Sequence, residues 1–258
     1  MTYTVQNAFD WLNSIAPFET AESFDNVGLL IGSRSQAVSS ILVALDCTLS
    51  VVDEAVERGA NLIISHHPLF YHARKHLREE DPEARVICAL IRNHISLLSA
   101  HTNLDRAPGG INDTLGNLFS LQGMQGEGYL RCGRLPISLP ASELTAAASR
   151  LLHAPVRLYG PKDACVETLA VGSGAYGEGY EEAKRLGAQA FLTGEVHHHE
   201  AVAAAMEGII LLEAGHYATE APGMWALAEG LQTALNGLQY NVVVYRSAQE
   251  PYPGALLT

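Results

Sequence analysis

No two cysteines in this chain stand at a CxxC spacing. The four present, Cys47, Cys88, Cys132 and Cys165, lie far apart and read as reduced, mostly buried thiols of a cytosolic protein. No apolar stretch reaches the ~18 residues that span a bilayer. The opening Met1-Thr2-Tyr3-Thr4-Val5 lacks the basic and then apolar regions of a signal peptide. A soluble, cytoplasmic protein without membrane contact is expected. Basic runs are also missing: 16 Lys and Arg face 28 Asp and Glu, for a formal net charge of −12. A sequence-independent nucleic-acid binder needs a basic surface, so the charge argues against DNA or RNA as the main ligand. DNA handling would require the few basic residues to be segregated on one surface. There is no GxSxG elbow, no P-loop lysine, and no cysteine in the setting of a nucleophile.

What is present is a chain of 258 residues, 48% hydrophobic, enough for one large domain or two small interlocked ones. Thr4 is placed to cap a helix that buries Val5, Ala8, Phe9 and Leu12. The runs 41–45 and 61–65 are short and continuously apolar, as in strands buried on both faces. A helix is expected over about 50–58, and another opened by Asp81-Pro82 as N-cap and first-turn proline. Strand 95–100 then delivers His101-Thr102-Asn103-Leu104-Asp105. A shift of 128 residues lays Ile63-Ile64-Ser65 over Phe191-Leu192-Thr193 and His66-His67 over Gly194-Glu195. These patterns predict an α/β fold of two similar, interlocked lobes with largely parallel strands. The first lobe spans 1–125, with 221–258 packing back on it, and the second spans 126–220. The Gly-rich stretch 121–139 reads as the connection between them, and Tyr240 to Tyr245 as a closing strand.

Ligands of parallel α/β sheets sit beyond the carboxyl ends of the strands. There stand His66-His67, His101 to Asp105, Gly194-Glu195 and Gly215-His216. Adjacent side chains of an extended segment point to opposite sides, so two neighbouring metals can take one of His66 and His67 each. Asp105 alone reads as a loop Asp before Pro108-Gly109-Gly110. Pro222 suits a first helical turn, which puts Glu220 at a helix N-terminus and His216 in the turn before. Three imidazoles and two carboxylates suit Zn, Fe, Mn or Co better than Ca or Mg. Two ions roughly 3.5–4 Å apart can supply a hydroxide nucleophile near neutral pH. They would also offset the charge of an anionic substrate. His197-His198-His199 reads as a solvated helix start, His72 and His76 as surface or rim groups, and His94 and His153 as structural. Gly172 to Gly177 reads as a backbone-lined wall of the site.

Asp25-Asn26-Val27-Gly28-Leu29-Leu30-Ile31-Gly32, Ser65-His66-His67-Pro68-Leu69, His101-Thr102-Asn103-Leu104-Asp105, Thr193-Gly194-Glu195 and Ala214-Gly215-His216-Tyr217-Ala218-Thr219-Glu220 together carry a resemblance. Over nearly its whole length the chain resembles the short form of the Ngg-interacting-factor-three-like family, the GTP cyclohydrolase I type 2 homologues. The resemblance implies a homohexameric, toroidal assembly with two divalent metal ions (Fe, Zn or Mn) per subunit, in a site between the lobes. It implies His66 and His216 on one ion, His67 and Asp105 on the other, and Glu220 bridging both. The implied activity is metal-dependent hydrolysis of a nucleotide or another small anionic substrate, in the GTP cyclohydrolase case opening the guanine imidazole ring with release of formate. Glu195, at a strand end of the second lobe, is our assignment for moving protons. The alternative is a non-catalytic metal-binding scaffold whose ring recognises a partner protein.

Overall fold

The computed structural model of the chain describes residues 2–249. It opens with α1 (Val5–Ile15), β1 (Gly28–Ile31), β2 (Ser40–Ala44), α2 (Leu49–Glu57), β3 (Leu62–Ser65), α3 (Pro82–Arg92) and β4 (Ser96–Ser99). Then come α4 (Thr102–Arg106), α5 (Ile111–Leu118), β5 (Gln122–Gln125), β6 (Arg131–Pro140), α6 (Ala141–Leu152), β7 (Arg157–Tyr159) and β8 (Cys165–Gly172). α7 (Tyr180–Arg185), β9 (Ala190–Thr193), α8 (His198–Glu207), β10 (Ile210–Glu213), α9 (His216–Gly237) and β11 (Val243–Arg246) follow. The fold is mixed α/β with two sheets. No helix of the described residues is long and apolar enough to cross a membrane.

Two compact units divide at Leu104/Asp105 and again at Gly223/Met224. The first division lies upstream of residue 125 because α5 sends Leu115 and Phe119 into the second unit's core, and β5 pairs with β6. Of the stretch 221–258, residues 250–258 lie outside the described residues.

In the first unit the strand order is β1-β4-β3-β2-β11. All neighbours are parallel except β1, which runs antiparallel to β4. Every residue of β2, β3 and β4 is buried, which is why their sequences are nearly continuous apolar runs. Val51, Val52 and Ala55 of α2 and Val86 and Leu90 of α3 pack on Leu42, Ile63 and Leu97 of the sheet. Local chemistry sets the helix starts. The Thr4 hydroxyl accepts from Asn7 N, while Asn7 Oδ1 accepts from Thr4 N at 2.9 Å, a reciprocal cap. Asp81 accepts from Glu83 N and Ala84 N, with Pro82 in the first turn.

The second unit has the order β5-β6-β8-β9-β10-β7. β8, β9 and β10 are parallel, while β5, β6 and β7 join antiparallel. Successive strand residues serve opposite faces, as the pleat requires. Leu169 and Val171 join one core with α6, and Ala170 joins another with α7 and α8. The 128-residue repeat extends to register: Ile41 pairs with Leu62, and Leu169 pairs with Ala190.

Two expectations change. The stretch 121–139 is not a bare connection but holds β5 and most of β6, with Gln122 opposite Arg134 and Gln125 opposite Cys132. Its glycines mask the buried Leu121, Leu130, Cys132 and Leu135. Pro222 does not open a helix, since it lies inside α9, which already starts at His216. Without an N–H, Pro222 forgoes one helical bond at this point, and the rest of the 22-residue helix carries on.

Candidate metal centre

His66 and His67 follow β3 directly. Their backbone N–H groups still bond to the end of β2, His66 to Leu45 O at 3.1 Å and His67 to the same oxygen at 3.0 Å. The chain then bends into Pro68, so the two rings do not splay to opposite sides as an extended segment would require. Their centroids lie 5.1 Å apart, and His101, just past β4, brings a third ring 5.1 Å from His66 and 5.5 Å from His67. One potential ligand atom of each of the three lies within 4.8 Å of the others.

Each imidazole is oriented from behind. His66 Nδ1 is 2.9 Å from the carbonyl oxygen of Ala100. His67 Nδ1 is 2.8 Å from Asp46 Oδ1, and His101 Nδ1 is 3.0 Å from Asp25 Oδ1. A carbonyl or carboxylate oxygen only accepts, so Nδ1 carries the hydrogen and the neutral ring presents the Nε2 lone pair. Metal-binding histidines share this arrangement. Burial pushes the Asp25 carboxyl up, but hydrogen bonds from His101 and Thr102 outweigh it and hold the pKa at about 2.

The second unit assembles its own group. β10 ends at Glu213, Gly215 turns the chain at φ +87°, and α9 begins with His216. The helical i, i+4 spacing brings Glu220 Oε2 to 3.1 Å from His216 Nε2. From behind, His216 Nδ1 donates to Glu195 Oε1 at 3.1 Å, so this ring is held as the other three are. Asp105, on α4, is buried, and one of its carboxylate oxygens comes within 4.8 Å of one of Glu220. Its backbone carbonyl accepts from Asn112 Nδ2 at 3.1 Å, and Asn112 Oδ1 accepts from Ser173 N at 2.8 Å. Two buried carboxylates this close repel each other, and a cation relieves the repulsion. The donor sets of both units therefore fit divalent metal.

Two glycines make room. Gly174 has φ +65°, and a Cβ there would run into the Glu220 carboxylate. A Cβ on Gly194 would come 2.9 Å from His216 Cα. Gly174 N donates to Thr219 Oγ1 at 3.0 Å, and that hydroxyl donates to His216 O at 2.8 Å. The turn read as a backbone-lined wall thus backs onto His216 and Glu220.

Within the first unit the structure gathers His66 and His67, and within the second it gathers Asp105, His216, Glu220 and Glu195. Sequence reasoning gave Asp25 and Asp46 no role around the first group, and placed His101 at a strand end without naming it as part of the site. Asp46 ends the apolar run of β2, the same position after a strand that singled out His66. His197, His198 and His199 are exposed at the start of α8, where His197 N donates to Glu200 Oε2 at 2.6 Å. His94 and His153 are helix-end residues at φ 54° and 52°. Burial pushes the Cys47 thiol up to about 12, which suits structure rather than attack.

A family model for DUF34/NIF3 (NGG1p interacting factor 3) matches residues 3–253. A protein of Clostridium acetobutylicum named GTP cyclohydrolase 1 type 2 homolog is 30% identical, over 98% of this chain and 99% of its own length. One of Streptomyces coelicolor with the same name is 36% identical, over 82% and 79%. Among solved structures, the hypothetical protein SA1388 of Staphylococcus aureus superposes with a TM-score of 0.94, at 27% identity and full coverage of both chains.

Proposed function

The chain belongs to the DUF34/NIF3 family, and on that premise we propose that it is a dinuclear metal-dependent hydrolase acting on a nucleotide. In this reading His66 and His216 serve one ion, His67 and Asp105 the other, and Glu220 both, with Fe, Zn or Mn as the metal. The observation that carries the reading is the donor set. Each candidate imidazole has its Nδ1 hydrogen taken by an oxygen, and Asp105 and Glu220 are buried within reach of each other. Two such ions supply Lewis acidity and a nucleophile at neutral pH. The chain's own residues hold the rings in one tautomer. Ala100 does so for His66, Asp46 for His67 and Glu195 for His216. Glu195 touches His216 and is a positioning residue, and its expected part in proton transfer is tested below through the glutamine variant.

The relatives' names support a GTP cyclohydrolase-like reaction, in which the guanine imidazole ring is opened and formate released. A cytoplasmic homohexameric ring is part of the same reading, and sedimentation equilibrium measures it. Elemental analysis of untagged protein prepared without chelator should give about two metals per chain, lost in the His66→Ala, His216→Ala double variant. Loaded protein given GTP should release formate. No metal after anaerobic reloading with Zn, Fe or Mn would sink the reading. Two metals without turnover on nucleotides, phosphoesters or cyclic amides would leave a metal-binding scaffold instead.

A further inference from the structure

Along the segment that follows His67, from Pro68 to Arg74, the first unit opens a cavity of about 690 Å³ whose lining includes Phe24, Phe70, Tyr71, His72, Arg74 and Glu83. That volume falls within the range of small-molecule sites. Its walls are aromatic and unusually exposed. Phe24 is 66% exposed, the only exposed phenylalanine among the described residues, and Tyr71 is 43% exposed. Arg74 does not make the wall cationic, because Nε donates to Glu83 Oε1 and Nη1 to Asp81 Oδ2, both at 2.6 Å. An uncharged planar group suits such a wall better than a phosphate does.

Three consecutive residues tie this cavity to the histidine cluster. Phe24 lines it, Asp25 orients His101, and Asn26 Nδ2 donates to the Phe70 carbonyl at 2.7 Å, fixing the loop that carries the other aromatic rings. The Tyr71 ring reaches His101, with centroids 6.0 Å apart at 68°. A group seated here therefore lies beside the imidazoles rather than at a remote surface.

We infer that this cavity receives the planar nitrogen heterocycle of the substrate, stacked on Phe24 and Tyr71, with the polar remainder of the molecule outside it. The inference takes its reaction from the hydrolase reading but not its binding, so chelator-treated protein tests it. In equilibrium dialysis that protein should retain guanosine and not ribose. Phe24→Ala should weaken guanosine binding about tenfold, as loss of one stacking partner does, and Phe24→Tyr should restore it. Phe24 is exposed, so the variants should fold, and their metal content after reloading should match the parent. No retention of guanosine overturns the inference, as does an affinity unchanged in both Phe24→Ala and Tyr71→Ala. Two metals bound without guanosine retention would remove the cavity assignment alone. Guanosine retained by protein that binds no metal would remove the hydrolase reading alone.

Discussion

Asp46 Oδ1 stands 2.8 Å from Nδ1 of His67. The contact spans 21 residues of sequence and joins the ends of neighbouring parallel strands, β2 and β3. Such a partner fixes both the tautomer and the ring plane. Asp46→Ala should weaken metal binding by about 10–100-fold, measured by competition with a chromophoric chelator. Asp46→Asn keeps an acceptor oxygen and should fall between. Nitrogen-15 NMR of the imidazoles in metal-free protein should show His67 losing its Nδ1–H preference in the alanine variant. An unchanged tautomer would remove Asp46 as an orienting residue.

Glu195 offers a cleaner separation of roles. Glutamine retains an oxygen to accept from His216 Nδ1, and alanine does not. Glu195→Ala should lower metal affinity about tenfold, while Glu195→Gln should keep metal content and lower turnover, as loss of a proton-transferring carboxylate does. A glutamine variant with unchanged turnover would remove the carboxylate from proton transfer and leave it the positioning role alone.

Gly174 is a backbone requirement. Alanine there must adopt φ +65° and push against the Glu220 carboxylate, at a cost of about 1–3 kcal/mol. Thermal unfolding should show the loss, and metal content should fall with it. Gly187, whose φ is also positive but which has open space around its Cβ position, is the control. Its alanine variant should be destabilised by the backbone alone and keep its metal.

The buried Glu54 predicts a pH dependence. Burial raises its pKa, but hydrogen bonds from Ser247, Ala248 and Arg58 outweigh that and leave it below the ordinary value. A lowered folded-state pKa stabilises above the unfolded value, near 4.5, and that stabilisation disappears as pH falls through the folded value. Glu54→Gln should therefore cost about 1–3 kcal/mol at pH 7. The gap between parent and variant should narrow as pH drops below about 4.5 in urea titrations. A gap that does not change with pH would refute the assignment.

Much of the fold was legible because its signals are local. Thr4 and Asp81 cap the helices they were expected to cap, Pro82 opens the first turn of α3, and the buried parallel strands announce themselves as apolar runs. The repeat that sets Ile41 over Leu169 also survives as hydrogen-bond register. Less legible were features decided by distant partners. Pro222 normally starts or ends a helix, yet here α9 passes through it. β5 and β6 hide among glycines whose meaning depends on the strand opposite. In the site, Asp25 and Asp46 have neutral neighbours in sequence and acquire purpose only from imidazoles 76 and 21 residues away. His101 was legible as a strand-end residue, as His66 was, but its place in the cluster depends on Asp25, 76 residues away.

The chain leaves the first unit after Leu104 and returns at Met224, and β2 is flanked by β11, about 200 residues downstream. During synthesis the second unit is therefore complete before the first can close its sheet. At roughly 5–20 residues per second, the outer edge of β2 waits on the order of 10–40 s for its neighbour. For that interval a flush apolar strand stands open at a sheet edge, the state most prone to pairing with another chain. Aggregation during expression should thus respond to translation speed beyond residue 104, even where the finished protein's stability does not change.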